Sequence, residues 1–128
     1  RAAPAVARIF DGEKEAKLLQ VQLVAEGANS PTMPEGEQVL ASRGIDVIPD
    51  VLANAGGVVV SYFEWVQGLQ EYFWKEEEVN ARLNDIVTRA FRETSETMAA
   101  HKTSMRTAAY GLAVRRVAEA TITRGIYP

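Results

Sequence analysis

The sequence contains no cysteine and a single histidine, His101. The first absence excludes disulfides, thiolate nucleophiles and cysteine-ligated metal sites. A lone histidine beside Lys102 reads as a solvated helix-end residue rather than a ligand or a base. No apolar run approaches the roughly 20 residues needed to span a bilayer, so no membrane partner is expected. The opening RAAPAVARIF has no long apolar core and no clear cleavage site, so it is not read as a secretory signal; a cytoplasmic location is the default expectation. Positive charge is not in excess either. Fourteen Lys and Arg face 17 Asp and Glu, for a net charge of −3. With no basic stripe, nucleic acid is not expected as a partner. There is no G-x-G-x-x-G loop of the kind that cradles a pyrophosphate, no grouping of metal ligands, no internal repeat and no low-complexity segment.

What is present is an ordinary globular composition, 47% hydrophobic and 24% charged over 128 residues, enough for one core. Residues 1–19, rich in alanine and charge, are expected to form a loop and a helix. Val21, Leu23 and Ala25 then alternate with Gln22, Val24 and Glu26 in a β-like run. That run stops at the turn-formers Gly27-Ala28-Asn29-Ser30-Pro31. Thr32 and Glu35 have capping-box spacing, with Pro34 in the first turn of a helix that carries Val39 and Leu40 and ends near Gly44. A second strand, Ile45–Ile48, stops at Pro49-Asp50. Strand, helix, strand with short connections implies a parallel βαβ unit, whose ligands sit beyond the carboxyl ends of the strands. The loops 27–31 and 50–57 both lie there and should open on the same edge.

The rest reads as helices. One runs from about Gly56 to Gln70. A second spans about Glu76 to Ala100, with Val79, Leu83, Ile86, Val87, Ala90, Phe91 and Met98 at helical spacing. The last covers about Ser104 to Thr123, with Ala108, Ala109, Leu112, Ala113 and Val117 as its apolar side and Gly125 as its C-terminal cap. Glu76-Glu77-Glu78 stands where the long helix begins and complements its dipole. Trp65 and Trp74 read as buried packing residues.

Two short segments could carry chemistry. In Asn54-Ala-Gly-Gly-Val-Val-Val-Ser61, Asn54 is a good N-cap, and Gly56-Gly57 would expose backbone N–H groups that attract phosphates and carboxylates. At about 100° per residue, Asn54, Val58 and Ser61 share one face, while Val59, Phe63 and Val66 lie roughly opposite and can pack on the sheet. The plainer account is a capped helix with a small-residue crossing, its serine bonded to its own backbone. Likewise Gly27 permits close approach of a ligand, and Asn29 could bond a ribose hydroxyl or merely close an Asx-turn.

The residues Val24-Ala-Glu-Gly-Ala-Asn-Ser-Pro-Thr-Met-Pro-Glu35, Ile48-Pro-Asp50 and Asn54-Ala-Gly-Gly-Val-Val-Val-Ser-Tyr-Phe-Glu-Trp65 together resemble the glutamate dehydrogenase family, as do Arg106-Thr-Ala-Ala-Tyr110 and Arg124-Gly125 at the carboxyl end. The resemblance extends from about residue 20 to 128; residues 1–19 match poorly. It implies an α/β fold: the second half of a Rossmann-like parallel-sheet nucleotide-binding domain (residues 1–70), followed by a carboxy-terminal helical region (71–128). It also implies NAD- or NADP-dependent oxidative deamination of L-glutamate to 2-oxoglutarate and ammonia, in a homo-hexamer. By this resemblance Gly27 and Asn29 belong to the cofactor site, with Asn29 at a ribose. Asn54 lies near the nicotinamide ribose and the substrate's α-amino end, Ser61 bonds the γ-carboxylate, and Val58 forms part of the same wall.

Ser30 stands where many relatives have glycine, and Gly68 where many have asparagine. The family's catalytic lysine, its partner aspartate and its glycine-rich pyrophosphate loop match nothing in this sequence. No residue here is therefore assigned a catalytic role, and the chain alone is expected to be inactive. A leucine, phenylalanine or valine dehydrogenase is the nearest alternative. A hydroxyl at Ser61 suits a carboxylate better than an apolar side chain, which would leave it unpaired at a cost of about 1–3 kcal/mol. A non-catalytic regulatory or assembly module derived from the family is the alternative from another class.

Overall fold

The structure is a computed structural model that describes residues 12–125. The expectation for residues 1–11 lies outside it. In chain order the elements are α1 (Glu13–Leu18), β1 (Leu23–Ala25), α2 (Pro34–Ser42), β2 (Asp46–Ile48), α3 (Asp50–Ala53), α4 (Gly56–Gln70), α5 (Glu76–His101) and α6 (Met105–Arg124). Among the described residues the architecture is α/β: a small parallel sheet, then long helices.

β1 and β2 pair in parallel with Leu23 opposite Asp46, Val24 opposite Val47 and Ala25 opposite Ile48. The backbone continues the pairing at both ends, through Asp46 N–H to Gln22 O and Glu26 N–H to Ile48 O. α2 crosses between the strands, as βαβ connectivity requires. Its end needs a reversal, and Gly44 supplies it with a φ of 68°. The core beside the sheet is small: Ala16, Leu40 and Ile45 are buried, with Leu19, Val24, Val39 and Val47 packed around them. Arg43 ties α1 down by donating to the carbonyls of Ala16 and Leu19.

The face of β1 that turns inward is not its more apolar one. Val24 is half-buried and Glu26 only 2% exposed, while Leu23 and Val21 face out. Val24 is drawn in by the small core, and Glu26 by an arginine that arrives from α6.

The capping box expected at Thr32 and Glu35 does not form. α2 begins at Pro34 with Met33 in the cap position and no side-chain cap, while Thr32 is buried in an isolated bridge. Segment 50–57 is also more regular than a loop, because Pro49 opens the helical turn of α3 and accepts from Leu52 and Ala53 N–H.

The long helices follow their periodicity at most positions. α5 and α6 pack on each other, with Thr94, Ala108 and Leu112 buried. Ser104 caps α6, its hydroxyl accepting from Thr107 N–H at 3.1 Å. At the start of α5 the Glu78 carboxylate accepts from Lys75 N–H. α4 leans on α5 rather than on the sheet. Its buried Phe63 meets Trp74 with ring centroids 5.6 Å apart, and the Arg82 guanidinium lies over that indole, 4.4 Å from the ring centroid. Trp65, by contrast, is 60% exposed, as are Phe91 and Val117 to lesser or similar extent. Helical spacing fixes the direction of a side chain, and the described residues cover these three only in part.

Candidate functional site

Because the strands are parallel, the segments after β1 and β2 emerge side by side. They are joined there: the Asn54 amide donates to the Asn29 side-chain oxygen at 2.7 Å. Around this bond lies an open cavity of about 530 Å³ lined by Asn29, Asp50, Val51, Asn54, Ala55, Val58 and Tyr110. Three of the residues singled out in the sequence, Asn29, Asn54 and Val58, therefore share one wall.

Asn54 reaches that place by a different route from the one its sequence context predicts. It is not the N-cap of α4; Ala55 holds that position, already in right-handed helical conformation. Asn54 instead closes α3, its N–H bonded to Asp50 O, because α3 runs almost directly into α4. Its side chain is left free to face Asn29. The 100° count from Asn54 thus starts outside α4. Ser61 is exposed and lies outside the cavity lining, one turn beyond Val58, about 4.5 Å further along the axis. Gly27 is likewise exposed and outside the lining.

Behind the cavity is an ionic cluster that local patterns in the sequence do not announce. Arg106, on α6, donates through Nη2 to Glu26 at 2.6 Å, through Nε to Glu37 at 2.9 Å and through Nη1 to Asp50 at 3.0 Å. Glu26 lies just past β1, Glu37 on α2 and Asp50 at the start of α3. Two of the carboxylates also hold backbone. Asp50 accepts from Ser30 N–H and Glu26 accepts from Asp50 N–H, each at 2.8 Å.

These contacts favour the charged forms of Asp50 and Arg106. Burial works to raise the Asp50 carboxyl, but the N–H groups of Ser30 and Val51 and the Arg106 guanidinium outweigh it and hold the group below its ordinary 3.8. Burial also opposes charge on Arg106, yet Glu26 and Glu37 outweigh it and the guanidinium holds its proton more tightly than usual. Glu26 Oε1 is buried with no partner among the described residues. Among the described residues no cluster of His, Asp or Glu is arranged to hold a metal ion.

Ser30 takes a left-handed backbone with φ of 45°, which sets its N–H toward Asp50. That conformation costs an L-residue roughly 1–2 kcal/mol, while glycine's extra freedom in the unfolded chain offsets about 0.5–1. Ser30→Gly should therefore raise stability by up to about 1 kcal/mol in thermal unfolding, keeping the Asp50 bond. A lowered midpoint would mean that the serine side chain, not the turn, is what matters there.

Tyr110, Asp50, Val51 and Ala55 complete the lining without having been read as site residues. Tyr110 lies one helical turn from Arg106, so both project from the same side of α6, but only the ionic cluster seen in the structure makes that spacing informative.

Comparison with known proteins places this geometry in context. Residues 4–125 match the family model for Glutamate/Leucine/Phenylalanine/Valine dehydrogenase. The match begins well before residue 20, so the amino-terminal stretch is less divergent than its sequence suggests. A glutamate dehydrogenase of Thermotoga maritima is 51% identical over 88% of this chain, and an NAD-specific glutamate dehydrogenase of Staphylococcus aureus is 49% identical over 88%. The chain spans about 27% of the length of each of these relatives. The hetero-hexameric glutamate dehydrogenase of Thermus thermophilus, in its Leu-bound form, superposes with a TM-score of 0.86 at 37% identity, over 98% of this chain and 29% of that one. The chain belongs to the glutamate/leucine/phenylalanine/valine dehydrogenase family.

Proposed function

We propose that this chain supplies one wall of the active site of an NAD(P)-dependent glutamate dehydrogenase, which converts L-glutamate to 2-oxoglutarate and ammonia. The observation that carries the reading is the Asn29–Asn54 hydrogen bond at the carboxyl ends of two parallel strands, on the rim of an open cavity. In parallel α/β folds that edge is where ligands bind. Asn29 there offers hydrogen bonds to a dinucleotide ribose, with Gly27 leaving room for close approach. Asn54 addresses the nicotinamide ribose and the α-amino end of the substrate, and Val58 forms the apolar wall.

Residues 1–70 are the nucleotide-binding half in this reading, and 71–128 the helical region that closes on it. NAD is favoured over NADP by the NAD-specific relative. Association of subunits into a hexamer, taken here as a homo-hexamer, is supported as to subunit number by the hetero-hexameric relative and as to association by Trp65, Leu69 and Phe73, large apolar side chains that stand open along α4 and just after it. A cytoplasmic location completes the proposal; among the described residues no helix is long and apolar enough to cross a membrane.

Ser61 is assigned to the γ-carboxylate. It projects into solvent one turn past Val58, where a longer substrate bound against Asn54 and Val58 would place its distal end. In the full-length polypeptide that carries this chain, Ser61→Ala should cost roughly 1.5–3 kcal/mol in kcat/KM for glutamate. Norvaline, which has no γ-carboxylate, should lose much less. Equal losses for the two substrates would remove Ser61 from the site.

A further inference from the structure

We infer that Arg106 is a positioning residue of the cavity: it touches no ligand, but through Asp50 and Glu26 it sets where Asn29 and Asn54 stand. The inference rests on the reading of that cavity as a dinucleotide and substrate site.

The connections can be followed atom by atom. Arg106 Nη1 holds Asp50 Oδ1, and the other oxygen of that carboxylate holds Ser30 N–H, the residue next to Asn29. Arg106 Nη2 holds Glu26 Oε2, which also accepts the N–H of Asp50, the first residue of α3. α3 ends at Ala53, and Asn54, which caps it, closes the loop of contacts on Asn29. Tyr110, on the same side of α6, faces the cavity. One guanidinium therefore fixes the mutual placement of three lining segments.

Lysine could not reproduce this. The three carboxylates lie in three directions around a planar fork, and a single ammonium has neither the reach nor the fixed geometry to bond all three. The third carboxylate supplies a control within the cluster. Glu37 bonds Arg106 but no loop backbone. A purely structural brace would use Glu37 and Asp50 alike, whereas a positioning device depends on Asp50.

The test uses the full-length polypeptide that carries this chain, with Asp50→Asn, Glu37→Gln and Arg106→Lys compared with the unsubstituted protein. NADH affinity is read by fluorescence titration, with kcat, KM and thermal midpoint measured alongside. Arg106→Lys and Asp50→Asn should weaken NADH binding by about tenfold or more in protein that remains folded. Glu37→Gln, whose carboxylate is partly exposed, should stay within about threefold. Equal affinity losses for Glu37→Gln and Asp50→Asn would overturn the inference, as would unchanged affinity with only the midpoint lowered.

Amide hydrogen exchange provides a second reading where a variant folds poorly or where the unsubstituted protein binds no NADH. In Arg106→Lys the Ser30 and Asp50 amides should exchange at least about tenfold faster while those of central α5 do not change. No acceleration at those two amides overturns the positioning role. Absence of NADH binding by the unsubstituted protein counts against the proposed function alone.

Discussion

Purified by itself and given L-glutamate with NAD or NADP, the 128-residue chain is expected to form no NAD(P)H above background. The cavity explains why. Its lining offers two amides, a phenol, aliphatic surface and one carboxylate, Asp50, which is already committed to Arg106 and to Ser30. Removing hydride from the carbon beside an amine needs a base for the amine and positive charge for the α-carboxylate, and neither is within the lining. The lysines are elsewhere: Lys14 and Lys17 on α1, the latter paired with Glu13, and Lys75 and Lys102 at the two ends of α5. Each 1.4 kcal/mol of missing stabilisation costs about a factor of ten in rate, so losing both groups puts turnover below detection.

Cofactor binding should fail for a related reason, since no glycine-rich loop is present to hold the pyrophosphate. A sheet whose described part has two strands leaves open edges, with Leu23 half exposed beside them, so self-association is expected as well. An absorbance assay at 340 nm checks the first point and light scattering the second; supplying the lysine-bearing portion as a separate polypeptide should restore turnover. Clear glutamate-dependent NAD(P)H formation by the chain alone would mean that the catalytic groups lie within it after all.

The parts of this molecule that were legible in its sequence are those governed by local rules. Gly56–Gln70 coincides with α4, and α5 and α6 begin and end within two residues of their periodic stretches. The parallel pairing followed from the order strand, helix, strand, and it brings the segments of Asn29 and Asn54 together across 25 residues. Readings failed where a side chain's fate was decided by something distant. Alternation along residues 21–26 gives no hint that Glu26 turns inward, because the reason is Arg106, 80 residues away. The capping box at Thr32 lost to Pro34, which starts the helix on its own fixed φ. The count that puts Ser61 on the face of Asn54 takes one helix to hold both, whereas Asn54 closes α3 and α4 begins only at Gly56. An arginine at the first turn of an alanine-rich helix was the one visible hint of the ionic cluster. No spacing rule says which carboxylates such a residue will meet.

Arg106→Met should remove about 3–5 kcal/mol of stability at pH 7, the cost of leaving a buried charge without its partner. Here three carboxylates lose their common cation at once. Glu26 is almost fully buried and Asp50 nearly so, while Glu37 can still turn to solvent, so the loss falls on the first two. Methionine fills the space of the arginine stem, so packing contributes little to the deficit. On the scale of a typical domain, with about 5–15 kcal/mol in all, the loss is large enough to threaten folding.

The pH dependence separates charge from packing. In the native protein Asp50 titrates below its ordinary 3.8. Its folded pKa is thus depressed, and the stability it contributes is complete above that ordinary value and disappears as pH falls through the lower, folded one. In the variant the guanidinium no longer favours the ionised form, and protonation relieves the repulsion instead. The difference between the two proteins should therefore be greatest at neutral pH and should narrow as pH falls through the carboxylate range. Unfolding midpoints of the full-length polypeptide and its Arg106→Met form, compared between neutral and acidic pH, measure this directly. A deficit that stays constant across that range would assign the loss to packing and strip the cluster of its electrostatic role.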